Sequence, residues 1–219
     1  FCHPILLGDP ERIGQQAEKF GVDLKGIVLK DPTSCPNIDE MAQMLFKERA
    51  RKGYNFLKAQ RLVQRPMHHG VMMLRSGEAE GMVCGADRSY VDTLRIVLPL
   101  AKLREGISRV VGMHVLLVEG KVYIFADTTV NFDNDSRQLA ENALVASTVA
   151  RHFNIEPVVA MLSFSNFGDN DRPESARVRE AVRILKKEHP ELRVDGEMQG
   201  DVAVIEGMCG KSVPDCQVM

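Results

Sequence analysis

Two runs decide how this chain folds: Pro157-Val-Val-Ala-Met-Leu-Ser-Phe-Ser-Asn-Phe-Gly168 and, after an Arg- and Glu-rich stretch, Arg193-Val-Asp-Gly-Glu-Met-Gln-Gly200. The first opens on a short Val-rich apolar run, the pattern of a strand buried on both faces. It passes into a polar loop, Ser163-Phe-Ser-Asn-Phe-Gly168, at the strand's carboxyl end. Asp171 and Ser175 offer N-caps for the helix that follows, with Pro173 near its first turn. Val178, Ala181, Val182 and Leu185 recur at helical spacing, so one face of that helix packs on a sheet. His189-Pro190 stops it, and a second short strand ends at Asp195-Gly196-Glu197. Two parallel strands with polar loops on one edge make the usual ligand crevice of an open α/β sheet. Ordinary strand-to-helix turns would leave the same trace.

Upstream the pattern repeats. Ile5-Leu6-Leu7 and Ile27-Val28-Leu29 read as strands around a helix that Asp9 caps, Pro10 opens and Gly21 closes, a β-α-β unit of a parallel sheet. An amphipathic helix from Ile38 to Lys52 carries Met41, Met44 and Leu45, a Met stripe better read as core filler than as a cofactor box. Gly53 breaks it, Tyr54 to Val63 forms the next helix, and Pro66 opens a third. His68 and His69 near its start face different sides of the helix and read as solvated or capping residues rather than as metal ligands. Gly81-Met-Val-Cys-Gly85 reads as a strand, and Tyr90 to Leu103 as a helix with Arg95 in its first half. There an arginine suits an anion, or forms a surface ion pair. Near Ser108 a hairpin-led pattern takes over. Val110 to Val118 and Lys121 to Ala126 flank Glu119-Gly120, Asp127-Thr128 follow, and Ser136 caps a long helix from Arg137 to Phe153. The expected division is a first α/β lobe over 1–108 and a second over 109–219.

Composition excludes several classes. With 219 residues, 44% hydrophobic and 26% charged, the chain is a globular protein of one large domain or two small lobes. A net charge of -2 and no Trp argue against nucleic acid or an anionic membrane as partner. No apolar stretch is long enough to span a bilayer. The chain begins inside a strand-like run without an initiator Met or signal-peptide pattern, and reads as an excised piece. Its five cysteines, Cys2, Cys35, Cys84, Cys209 and Cys216, are odd in number and scattered, as in a reduced cytoplasmic protein.

Three strand ends collect acids and hydroxyls: Asp127 and Thr128; Ser163 and Ser165 with Asn166; Asp195 and Glu197. The acids are single and on separate strands with no His close by, so no metal site is expected. Neither serine has the glycine pattern of a nucleophile elbow, and no G-x-G-x-x-G or Walker A run occurs. What remains is a cleft of hydroxyls, backbone amides and arginines, suited to an anionic, phosphate-bearing small molecule.

Gly77-Glu-Ala-Glu-Gly-Met-Val83, Asp92-Thr-Leu-Arg95, Phe125-Ala-Asp-Thr-Thr-Val-Asn131, Ile155-Glu-Pro-Val-Val-Ala-Met-Leu162 and Asp195-Gly-Glu-Met-Gln199 together resemble the phosphate acetyltransferase/butyryltransferase family, in order and over nearly the whole chain. The resemblance implies a two-lobed three-layer α/β/α phosphotransacetylase-like fold, of the isocitrate/isopropylmalate dehydrogenase kind and here truncated at both ends. It implies a cleft for coenzyme A or acetyl-CoA, a cytoplasmic homodimer or higher homo-oligomer, and Arg49 and Arg95 in the positions of substrate-directed arginines. In that family acyl phosphate and coenzyme A react directly. The base and the Ser-Arg pair that serve the reaction are expected beyond Met219.

Where the family carries Ser-x-Ser-Thr-Lys-Gly-Ser-Ala, this chain has Ser163-Phe-Ser-Asn-Phe-Gly168-Asp169. That loop, with Asp-Gly-Glu-Met in place of Asp-Gly-Glu-Leu, looks like the C-terminal domain of the large bacterial NADP-dependent malic enzymes. The implied role is an acetyl-CoA-binding regulatory and oligomerisation domain, not catalytic alone, with NADP and a divalent metal held by an upstream domain. An active phosphate acyltransferase is the alternative, and a two-lobed sugar- or amino-acid-binding protein a third possibility.

Overall fold

A computed structural model describes residues 2–205, 207–212 and 216–218. The chain divides into two compact units, Phe1–Lys102 and Leu103–Met219.

In the first unit, strands β1 (Ile5–Leu7) and β2 (Val28–Lys30) pair in parallel around helix α1 (Pro10–Phe20). Asp9 caps α1 by accepting from the Glu11 amide at 2.9 Å, and Gly21 ends it in the left-handed region at φ 64°. Helices α2 (Ile38–Arg49), α3 (Phe56–Val63), α4 (Pro66–Ser76) and α5 (Tyr90–Leu100) complete the unit, a 3₁₀ turn at Ala50–Lys52 finishing the first of them. Its core joins Met41, Ala42 and Leu45 to Ala59, Val63, Val71, Met72 and Met73. Met41 of the Met stripe is therefore filler, as the pattern implies. Two expectations fail. Residues 81–85 form no strand, because no ladder partner reaches them among the described residues. His69 is not solvated; it is fully buried, with Nδ1 3.0 Å from the Val63 carbonyl. Burial lowers its pKa, and that of half-buried His68, below the ordinary histidine value.

The second unit opens with an antiparallel hairpin of β3 (Met113–Val118) and β4 (Lys121–Ala126). Glu119 and Gly120 both have positive φ, 49° and 79°, the backbone of a two-residue turn whose twist matches its strands. Helix α6 (Ser136–His152) follows, then the parallel pair β5 (Val158–Leu162) and β6 (Arg193–Met198) around helix α7 (Pro173–Glu188). Short helices α8 (Gly200–Val204) and α9 (Met208–Ser212) come last. Asp135, not Ser136, caps α6, through a box in which the Asp135 carboxylate and the Gln138 side chain exchange backbone bonds.

Ala181, Val182 and Leu185 of α7 pack with Ala140, Ala143, Met161 and Val194, as their spacing predicts. A further cluster joins Met198, Val202, Cys209, Cys216 and Val218. Within it Cys209 and Cys216 are joined as a disulfide, their Cα atoms 5.9 Å apart, so the expectation of five free thiols is corrected for two of them. β5 is not buried on both faces. Among the described residues it pairs only with β6, and only Met161 along it is buried.

Candidate functional site

The carboxyl ends of β5 and β6 meet at one polar loop. The Ser163 amide donates to the Met198 carbonyl at 2.9 Å, and the Phe167 amide to the Glu197 carbonyl at 2.8 Å, so residues 163–168 lie along 197–199. Phe167 and Gly168 both take positive φ, 43° and 96°, which turns the chain back toward α7. A left-handed phenylalanine is uncommon and needs support from its surroundings. Here Phe167 packs against the Met198–Val202 cluster.

Glu197 is the anchor. It is fully buried, and its Oε1 accepts from the Gly168 amide at 2.9 Å and from Arg179 of α7 at 2.8 Å. Gly196 lies between the two acids at φ 134°, where a Cβ would run into the Met161 carbonyl. Only glycine lets β6 pass that close to β5.

These bonds sort the predicted residues. Both Asp195 oxygens are occupied: Oδ1 accepts from Lys186 at 2.9 Å and from the Gly196 amide at 3.0 Å, Oδ2 from the Gln217 amide at 3.1 Å. Both polar atoms of the Asn166 side chain are spent on Gln199, at 3.1 and 2.8 Å. Asp195 and Asn166 therefore help to build the loop. Ser165 Oγ and Glu197 Oε2 are buried and have no hydrogen-bond partner. A buried polar atom left unpaired costs free energy, and both of these lie where the loop meets the end of β6. Half-buried Ser163 stands beside them in the same loop.

Asp127 and Thr128 form a second cluster at the end of β4. Asp127, at φ 62°, accepts from Asn131 at 3.1 Å and from Asn134, while Thr128 Oγ1 lies 2.7 Å from His114 Nδ1. The Asp127 carboxylate thus closes the 127–134 turn. Arg177 joins that turn to α7, with one guanidinium nitrogen 2.5 Å from Asp133 and 3.2 Å from the Asn134 carbonyl. No group of three or more His, Cys, Asp or Glu among the described residues could hold a metal ion.

Arg49 and Arg95 belong to the first unit. Arg49 ends α2, half-buried, and makes no ion pair among the described residues. Arg95 pairs with Asp92 at 3.0 Å across one helical turn, their side chains 73% and 57% exposed. Ser89 caps α5, accepting from the Asp92 amide at 3.1 Å and donating to its carboxylate at 2.7 Å. The hydrogen bond from Ser89, aided by Arg95, holds the Asp92 carboxyl below its ordinary pKa. The first turn of α5 is thus already supplied with negative charge.

Arg179 and Arg177 are what sequence reasoning missed. Their signal was present: an Arg-Val-Arg run in the first half of the helix that follows the polar loop. The caps expected just before it are also revised. Ser175 is buried and donates to the carbonyls of Asn170 and Arg172, at 2.7 and 3.0 Å, while Asp171 pairs with Arg179 at 3.0 Å.

This mixed α/β arrangement has a known relative over its whole length. The family described as phosphate acetyl/butaryl transferase matches residues 1–219, and the chain belongs to it. It is 36% identical over 216 residues to the NADP-dependent malic enzyme of Escherichia coli, covering 97% of this chain and 28% of that protein. Identity to the phosphate acetyltransferase of Bacillus subtilis is 34% over 216 residues, covering 99% of this chain and 67% of the relative. Among solved structures, the EutD phosphotransacetylase from Staphylococcus aureus matches at a TM-score of 0.86 and 32% identity, covering 99% of this chain and 66% of that one. A phosphotransacetylase from Streptococcus pyogenes matches at the same score with 33% identity. The chain thus spans about a quarter of the malic enzyme and two thirds of these phosphate acetyltransferases. No helix among the described residues is long and apolar enough to cross a membrane.

Proposed function

We propose that this is a phosphotransacetylase domain that binds coenzyme A and an acyl phosphate, and that the full-length protein transfers the acyl group from the phosphate to the thiol, giving a coenzyme A thioester. In that reaction the thiolate attacks the acyl carbon, the bond from that carbon to the phosphate-bearing oxygen breaks, and inorganic phosphate leaves. The observation that carries the reading is the β5/β6 loop. Buried Ser165 and Glu197 atoms lack partners there, in a chain similar throughout to enzymes named for phosphate acetyl transfer. A hydroxyl can donate to a phosphate or carbonyl oxygen, and a carboxylate oxygen can accept from a ligand N–H or O–H. In the full-length protein, acetyl phosphate should consume the thiol of coenzyme A at roughly 1–1,000 per second.

A second reading is a regulatory domain of a malic enzyme. It is favoured by the loop itself, where Asn166 and Phe167 replace Thr-Lys. Both are committed to structure, Asn166 to Gln199 and Phe167 to the apolar cluster. Acetyl-CoA binding by the full-length protein without any thiol consumption from acetyl phosphate would select this reading. Absence of both would reject the two together. Self-association belongs to either reading: Leu117 on the hairpin is 78% exposed and β3 keeps an unpaired edge among the described residues. Light scattering that finds a monomer at every concentration would reject it.

A further inference from the structure

On the neighbouring helix, Ser175 and Arg179 both hold the segment that follows Ser163 and Ser165, and Arg179 reaches furthest into it. Arg179 is 30% exposed and fans its guanidinium across three partners: Glu197 Oε1 at 2.8 Å, the Asn170 carbonyl at 3.2 Å and Asp171 at 3.0 Å. Glu197 passes the constraint on, because the same oxygen that meets Arg179 accepts the Gly168 amide at 2.9 Å. The loop is thus fastened at Gly168, Asn170 and Asp171 to a rigid helix. A planar fork of donors can hold such divergent acceptors where an ammonium cannot.

We propose that Arg179 is a positioning residue of this site. By occupying Glu197 Oε1 it aims the unpartnered Oε2 at the ligand, and through Gly168 it fixes the turn that presents Ser165 Oγ. The chemistry explains why the pair is worth burying. Glu197 without Arg179 would be a buried side chain with no cationic partner, free to rotate or to take up water. With Arg179 in place, one oxygen is held and the other is offered. The proposal rests on the reading of the β5/β6 loop as the acyl-CoA and acyl phosphate site.

The test uses the full-length protein, as wild type, R179Q, R179K and the exposed-face control R183Q. Arg183 pairs on the surface with Glu180 one turn away and touches nothing in the loop. Acetyl-CoA and acetyl phosphate affinities are measured by calorimetry, and amide exchange is followed at Phe167 and Gly168. The expected result for R179Q is about a tenfold loss of affinity with faster exchange at both amides, the size of effect of losing one charge-assisted contact. R179K, which keeps the charge on Glu197 but not the fork, should fall between, and R183Q should match wild type. R179K also keeps the test open where R179Q folds poorly. Affinity within twofold of wild type in R179Q overturns the proposal, whatever the exchange shows. So does an R179K that binds as poorly as R179Q while exchange at Phe167 and Gly168 is unchanged, because that outcome marks a loss unrelated to the loop. Wild type that binds neither ligand overturns the site reading and the positioning role with it. In that case the exchange arm still shows whether Arg179 clamps the loop.

Discussion

Two arginines sit in helices that follow polar loops, and the structure treats them in opposite ways. Arg95 on α5 is 73% exposed and pairs with Asp92 on its own helix. Arg179 on α7 is 30% exposed and pairs with fully buried Glu197 on a different element. The first pair is local and solvated, so its Coulomb attraction is screened and worth little. The second ties a helix to a strand and a loop in a low-dielectric setting, where removal of one partner strands the other. Burial and sequence separation, rather than residue type, therefore separate a surface ion pair from a structural one.

The largest effect should come from breaking the buried side of this comparison. Glu197→Ala removes the acceptor of both Arg179 and the Gly168 amide, and should destabilise the second unit by about 3 kcal/mol, read by urea denaturation. A loss no greater than that of an ordinary surface substitution would put the two arginines in one class. Arg95→Ala, by contrast, should leave the thermal midpoint within about 1 °C. A larger shift would show that Arg95 holds more than Asp92.

The smallest effect is a local one with a defined sign. The Asp92 carboxyl is held below its ordinary value of 3.8, first by the Ser89 hydroxyl and then by Arg95. A depressed folded pKa contributes stability that is present above the unfolded value and lost as pH falls through the folded one. The start of α5 should therefore fray only below about pH 4, and amide exchange at Asp92 and Thr93 should report it. Fraying already at pH 6 would mean that the cap depends on another group.

Much of this was legible in the chain itself. The parallel pairs, the hairpin turn and the α7 stripe follow from spacing and from turn chemistry, which act over a few residues. The convergence of Ser163, Ser165, Asn166, Asp195 and Glu197 on one strand edge follows from two strands ending together. What stayed hidden is how each polar atom is used. Asn166 and Gln199 are far apart in sequence, as are Arg179 and Glu197, and only register and packing bring them together. His69 escaped for the same reason: its burial depends on α2 and α3 closing over α4, whereas its own helix shows only an exposed-looking His-His start. The disulfide between Cys209 and Cys216 likewise depends on how the last helices fold back on β6.

The central claim is that residues 163–168, backed by Glu197, are where the ligand binds. Hydrogen exchange of the full-length protein with and without saturating acetyl-CoA tests it most directly. The account predicts slowed exchange at the amides of 163–168 and at Glu197, with little change in the first turn of α5. Protection confined to α5 and absent from 163–168 would contradict it.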